Sequence, residues 1–583
     1  METADKVPGV SRRPVRVALG GVGRPAEGFG ADRRGGTPAR LLSSCATPPL
    51  LHRREVRYRW LSLRGSARLD TSPYREPDER DQEIFDATVP ADHYLRRVPA
   101  VIDFERRRPA LRAWYHPTQG RPALEPILLL KLEFLQFHYN LSDRQVVEQA
   151  QYNMAYRWFL ALSLHSPLPH HTWLSKFRER LGAAKHQELF DDLVAQARAH
   201  GLVKDRLRLK DATHVLANIA IPSTIQLVAS TRQQLLEAVR PSAAERVAAA
   251  AAHAQALHTS TADLSGAERL LQRVAHVRAI LAWVDQLVAA LGPARAGDER
   301  RQTLAEACQL AHQVLADRED RKGRDQLISP QDPDARWGHH GGTYAGYKLD
   351  VATDADSEII TAINVLPANG DEAADATTLI RHEEQVHGND VQALSLDAVG
   401  FRGSLLREWT DPHGLNLEVI VPVPAAATTL FMGEQLPLDP SGERLTCPQG
   451  QTARSRARSS HDTGWVFRFP RSACEGCPLR AQWLDELPKR GGRAVFKSDY
   501  EAAFRAARAQ AQTPEHQAAR RQPWRIERKL GEMVRWHGAR RARYRGRWKV
   551  LLQGLMTAVV VNVTRVVQLL TAPRVRAALS ASS

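Results

Sequence analysis

The chain has 583 residues, with 81 Lys and Arg against 65 Asp and Glu and a formal net charge of +16. A 43% apolar and 25% charged composition is globular and excludes wholesale disorder, while ordinary Gly and only five Cys exclude a collagen-like or disulfide-framework protein. The length predicts about three to five domains, and the positive excess points to a polyanion, of which nucleic acid is the usual one.

Residues 1–80 carry 16 Lys and Arg against 9 acids, are rich in Arg, Gly, Pro and Ser, and read as a disordered basic leader without a signal-peptide pattern. From 81 to 203 the period is helical, which predicts an all-α N-terminal domain that either reads DNA or serves as scaffold. One helix there begins after Pro122 and stacks Leu128, Leu132, Leu135 and Tyr139 on one face. Ser142 and Gln145 make a capping box for the next, and another starts at Thr172 and stops at Gly182.

Residues 204–228 turn β-like in "RLRLKDATHV", with Asp211 towards the end of the run. An Ala/Leu/Gln/Arg-rich block at 229–329, broken near Gly292-Pro293, predicts an antiparallel helical hairpin inserted into the domain. Residues 330–430 read as a β-hairpin turning at 354–357, a helix at 372–387, a strand "VQALSLDAVG" holding Asp397, a short helix at 404–409 and a strand "LEVIVPVP". A cysteine-containing insertion (431–500), basic C-terminal helices (501–572) and a tail (573–583) complete the chain. The apolar stretch at 550–570 is long enough to span a bilayer but contains Gln553, Asn562, Arg565 and Gln568. It reads as a buried helix, and the chain as cytosolic and without a membrane partner. With both insertions removed, the order is strand, hairpin, helix, strand, helix, strand, helix: an α/β fold with the mixed sheet of a ribonuclease-H-like core.

Lys210-Asp211-Ala212 and Leu396-Asp397-Ala398 set a carboxylate at each of two strand ends, where it must be paired or hold a cation. Side-by-side carboxylates suit Mg²⁺ or Mn²⁺, and two such ions can drive in-line phosphoryl displacement. A single strand-end Asp is more commonly a turn or cap residue. A third acid comes from residues 517–550, where 12 Lys and Arg surround only Glu527 and Glu532. Arg520, Arg525, Arg535, Arg540, Arg541, Arg543 and Arg545 supply phosphate-neutralising charge in this region. Tyr544 and Trp536 could stack on bases or pack on the core; for Trp524 and Trp548 packing is expected.

Several strings, in this order, carry a resemblance: "GRPALEPILLLKLEFLQFHYNLSDRQVVEQ", "TWLSKFRERL", "LKDATHVLAN", "GYKLDVATD", "LSLDAVGF", "CPLRAQW" and "RIERKLGEMVRWHGARRARYRG". From about residue 89 to 570 the chain resembles bacterial insertion-sequence DDE transposases, of the group called insertion sequence eleven-eighty-two. The resemblance implies a ribonuclease-H-like catalytic domain that holds divalent metal on two Asp and one Glu. By position these are Asp211, Asp397 and Glu527, with Glu532 as the rival for the last. It also implies cleavage of transposon ends, joining to target double-stranded DNA, and a homodimer or larger synaptic complex.

Cys447, Cys474 and Cys477 suggest a soft-metal site, but a closed zinc site takes four ligands. The family's fourth Cys falls where this chain has Trp483; His461 could substitute, and a cluster of reduced thiols is the plainer alternative. "HEEQVH" at 382–387 spaces its histidines five apart, which does not suit a zinc-protease helix, and no nucleotide-binding loop is present, so no nucleotide cofactor is expected. His214 could support Asp211 or fill an ordinary structural role. Two rival functions stand beside the transposase: a catalytically inactive DNA-binding protein derived from one, and a nuclease that cuts without joining.

Overall fold

A computed structural model describes residues 74–571, apart from 116–123, 293–297, 321–322, 324, 425–435, 461–462, 483, 485, 487 and 489–490. The proposed leader and tail therefore lie almost wholly outside the described residues.

Seven helices open the described chain: α1 (Glu79–Thr88), α2 (Tyr94–Val101), α3 (Arg108–Ala113), α4 (Pro126–His138), α5 (Asp143–Tyr152), α6 (Met154–Leu160) and α7 (Thr172–Ala199). Helix α4 starts with Pro126 at a position whose N–H has no helical partner. The expected one-sided stripe gives way to burial all round, because α5, α6, α7 and the C-terminal helix surround it. Its polar residues are paired accordingly: Lys131 lies 3.2 Å from Glu105, and Glu133 lies 3.2 Å from His186. The Ser142–Gln145 capping box opens α5, with the Gln145 N–H donating to Ser142 Oγ at 3.2 Å. Helix α7 does not stop at Gly182. There φ is +62°, the axis kinks, and the helix resumes to Ala199.

Nine strands follow among the described residues: β1 (Arg208–Leu216), β2 (Arg336–His339), β3 (Thr343–Asp354), β4 (Ile360–Pro367), β5 (Ala393–Ser395), β6 (Glu418–Ile420), β7 (Ser455–Arg458), β8 (Gly464–Arg468) and β9 (Ala494–Ser498). The main sheet runs β4-β3-β1-β5-β6, with β2 and β4 end to end along one edge of β3. Strands β1, β3 and β4 are antiparallel; β5 and β6 run parallel to β1. At Gly346 a Cβ would stand 2.0 Å from the Val215 carbonyl, so the β1–β3 ladder closes only around a glycine.

Between β1 and β2 stand α8 (Thr224–Val239), α9 (Ala244–Ser260), α10 (Gly266–Leu291) and α11 (Glu299–Glu319). This insertion has four helices rather than a hairpin. Helix α8 ends just before Pro241, and a Ser265–Glu268 capping box starts α10, so the block breaks twice more than composition suggested.

Helices α12 (Glu372–His387) and α13 (Gly403–Trp409) follow β4 and β5. The chain then passes through the β7-β8-β9 sheet with α14 (Arg471–Glu475), and on to α15 (Glu501–Gln510), α16 (Pro514–Ala519), α17 (Trp524–Arg535) and α18 (Arg547–Thr571). Leu349, Val351 and Val365 point into a core shared with α7, α17 and α18, whereas Ala352 and Ala362 point to Leu379 of α12. Helices thus cover both faces of the sheet.

Among the described residues α10 and α18 are long and apolar enough to cross a membrane; α18 is packed in the core. Its polar residues bond to backbone groups. Asn562 Oδ1 accepts from the Ile360 N–H and its Nδ2 donates to the Ile360 carbonyl, each at 2.8 Å. Arg565 Nε donates to Ser357 O at 2.7 Å.

Candidate active site

Strands β1 and β5 pair Arg208 with Leu394 and Leu209 with Ser395. Carrying this register two residues on, past the end of β5, brings Asp397 alongside Asp211. Asp397 lies just past β5, where it caps a short helical turn by accepting from the Val399 N–H at 3.2 Å. Glu527 is in the first turn of α17, which packs its Ile526, Leu530 and Met533 inward and rests on β1. Asp211, Asp397 and Glu527 together line one cavity of about 330 Å³, whose wall also carries Arg520. Glu532 is not in that wall; it accepts from Lys529 Nζ at 2.8 Å.

Burial pushes the Asp211 carboxyl up to about 6, and the Asp397 and Glu372 carboxylates add to the rise. The Ala212 N–H, donating to Asp211 Oδ1 at 2.8 Å, and Lys210 oppose it. Carboxylate oxygens are the kind of donor that a hard divalent cation takes. Among the described residues no three His, Cys, Asp or Glu side chains stand close enough to hold a metal ion. Asp397 and Glu527 are exposed.

Several of the arginines expected to meet phosphate are bonded within the fold. Arg540 donates to His214 O at 2.6 Å, Arg543 to Leu141 O at 2.7 Å and Arg545 to Asn218 O at 3.0 Å, while Arg525 donates to Ala355 O. Backbone carbonyls at and just after β1 and in the α4–α5 turn hold Arg540, Arg545 and Arg543 and so tie down the 538–546 loop, while Arg525 ties α17 to the end of β3. Arg520, Arg535 and Arg541 are exposed. The tryptophans expected to pack are largely exposed: Trp524 is 52% exposed and Trp548 42%, with Trp536 at 70%. Tyr544 does pack on the core.

His214 lies on the opposite face of β1 from Asp211, with its ring 4.8 Å from that of His340; burial lowers it to about 4. His382 of the "HEEQVH" string pairs with Asp191 at 3.1 Å. Cys447, Cys474 and Cys477 are free thiols around a cavity of about 30 Å³ and form no described metal cluster. His461 and Trp483 lie outside the described residues.

An ionic cluster at the base of β1 escaped the sequence reading. Arg208, fully buried, donates to Glu383 at 3.0 Å and to Asp354 at 3.1 Å, and Arg198 joins Glu383. The available signal was an arginine alternating with apolar residues in a strand, since such a charge requires partners. Burial alone would raise Glu383, but Arg208 and Arg198 hold it below the usual glutamate range.

The chain matches a transposase domain (DUF772) over residues 83–180 and a transposase DDE domain over 446–567. No curated protein matches it, and no solved structure does. The two domain matches support a DDE transposase of the insertion-sequence kind, with DNA as its partner. Glu527 falls inside the second match; Asp211 and Asp397 lie outside both.

Proposed function

We propose that this transposase nicks the ends of an insertion sequence and joins them to target DNA on a ribonuclease-H-like core, with Asp211, Asp397 and Glu527 as its metal-holding acids. The observation that carries the reading is their common cavity, reached from adjacent parallel strands and a C-terminal helix. The sheet order, three antiparallel strands followed by two parallel ones, supports the same core.

Mg²⁺ or Mn²⁺ held by these three carboxylates would supply activation of the attacking oxygen and stabilisation of the leaving one. Asp211 contributes as a carboxylate, so its elevated proton affinity must be overcome before it can act as a ligand. Arg520, in the cavity wall, neutralises the phosphate that enters. In the first step water attacks the phosphorus at the element's end, the P–O3′ bond breaks and a 3′-hydroxyl is released. In the second that hydroxyl attacks a target phosphodiester, losing its proton and displacing the target's own 3′ oxygen. Pairing two ends calls for at least two copies of the chain, acting on cytoplasmic DNA. The group named insertion sequence eleven-eighty-two belongs to the same reading.

The test is Mg²⁺-dependent nicking and strand transfer on end-containing duplex, compared with Asp211→Ala and Asp397→Ala. A loss of at least about a hundredfold in each, some 2.7 kcal/mol of barrier, is expected. Equal activity in all three proteins, or none in the parent, would point to a DNA-binding protein without catalysis; nicking without joining would point to a nuclease.

A further inference from the structure

The turn between β3 and β4 ties together the two elements that carry Asp211 and Glu527. Glu358 sits in this turn, 4% exposed, at a φ of +63°, a left-handed conformation that a glutamate seldom adopts. Its carboxylate pairs with Arg528 of α17 and lies 3.6 Å from Arg565 of α18. Arg525 of α17 donates to the neighbouring Ala355 carbonyl. Asp354, at the other end of the turn, accepts from the Ser357 N–H at 2.8 Å and from Arg208 at 3.1 Å. Arg208 precedes Asp211 by three residues on β1, and Arg525 and Arg528 bracket Glu527 on α17.

Helix α17 has no side-chain cap at its start, so its first turn is not oriented locally. The turn's carboxylate and carbonyl hold it from outside. Arg528 is 52% exposed along its side chain, where an ion pair adds little to overall stability. What such a pair does supply is direction, because two of its members are anchored to rigid elements. A glycine would occupy the left-handed position without steric cost but would leave both arginines without their carboxylate.

We propose that Glu358 is a positioning residue: by clamping Arg528 it sets the roll of the first turn of α17 and so aims Glu527 into the cavity it shares with Asp211 and Asp397. The proposal rests on the DNA-cleavage reading above for its consequence, but not for its geometry.

The experiment uses the full chain with Glu358→Gln, Glu358→Gly and Arg528→Gln, each measured in two ways. Hydrogen–deuterium exchange should quicken across 524–535 in all three while 208–216 stays protected. Nicking should need about 10- to 100-fold more Mg²⁺ for half-maximal rate, with DNA retention unchanged. Combining Glu358→Gln with Arg528→Gln should be no worse than either alone. Glu358→Gly relieves the positive φ and keeps the test open should the glutamine variant fold poorly. Wild-type exchange in α17, or quickened exchange with an unchanged Mg²⁺ requirement, would overturn the proposal. Should the parent not nick at all, the cleavage reading fails, and exchange alone then decides whether Glu358 holds the helix.

Discussion

The core beneath the main sheet draws apolar side chains from Leu95 through Val567, interleaving N-terminal helices, strands and α18. The insertion between β1 and β2 closes on a core of its own, from Leu227 to Leu327, built by helices that are neighbours in the chain. The first core exists only when segments hundreds of residues apart have met, so damage to it is shared by the whole assembly. The second is local, and damage there should remain there.

The sharpest way to break this comparison is at the ionic cluster. Glu383→Ala leaves Arg208 buried without its main partner and should cost about 3–5 kcal/mol, read as a lower midpoint in urea unfolding. The cluster also gives a pH signature. Because Glu383 is held below its usual range, its contribution is complete above about 4.5 and is lost as pH falls through the lower folded value. Glu383→Gln should therefore flatten the acid limb. Asp211 behaves in the opposite sense. With its folded value raised to about 6, the unfolded chain loses the proton first, so stability declines as pH rises from about 4 through 6. Asp211→Asn should remove that decline.

A matched pair of truncations sharpens the contrast. Leu555 in α18 and Leu235 in α8 are both 0% exposed, and each Leu→Ala change should cost about 2–5 kcal/mol. Leu555→Ala should lower one transition shared by all probes. Leu235→Ala should instead quicken exchange in 224–319 alone; a uniform response to both would show that the two cores unfold as one. Asn562→Ala removes its two hydrogen bonds to the Ile360 N–H and carbonyl and should cost about 1–3 kcal/mol. The smallest effect is expected at a helix cap: Ser265→Ala should cost about 1 kcal/mol, confined to the start of α10.

Much of the candidate site was legible. Asp211 and Asp397 stand out in the sequence as carboxylates flanked by apolar strand residues, although β1 runs on to Leu216 and only Asp397 lies at a strand end. Glu527 could be picked out as one of only two acids in a basic stretch. The choice between Glu527 and Glu532 was not legible from charge, since five residues turn a helix by well over a third of a circle and only packing against β1 selects the face. Composition likewise counts the arginines but does not say which also bond the protein's own carbonyls, as Arg540, Arg543 and Arg545 do.

Short-range chemistry was enough to determine the α5 capping box, the extent of α12, the β3–β4 hairpin and the buried fate of α18, because caps, periodicity and the cost of burying charge act within a few residues. The tertiary structure alone decided that α4 is enclosed on all sides, that α7 bends at Gly182 instead of ending, and that three acids face one cavity. Those outcomes depend on partners such as Arg208 and Glu383, 175 residues apart, whose pairing no local pattern encodes and whose energy appears only once both have left water.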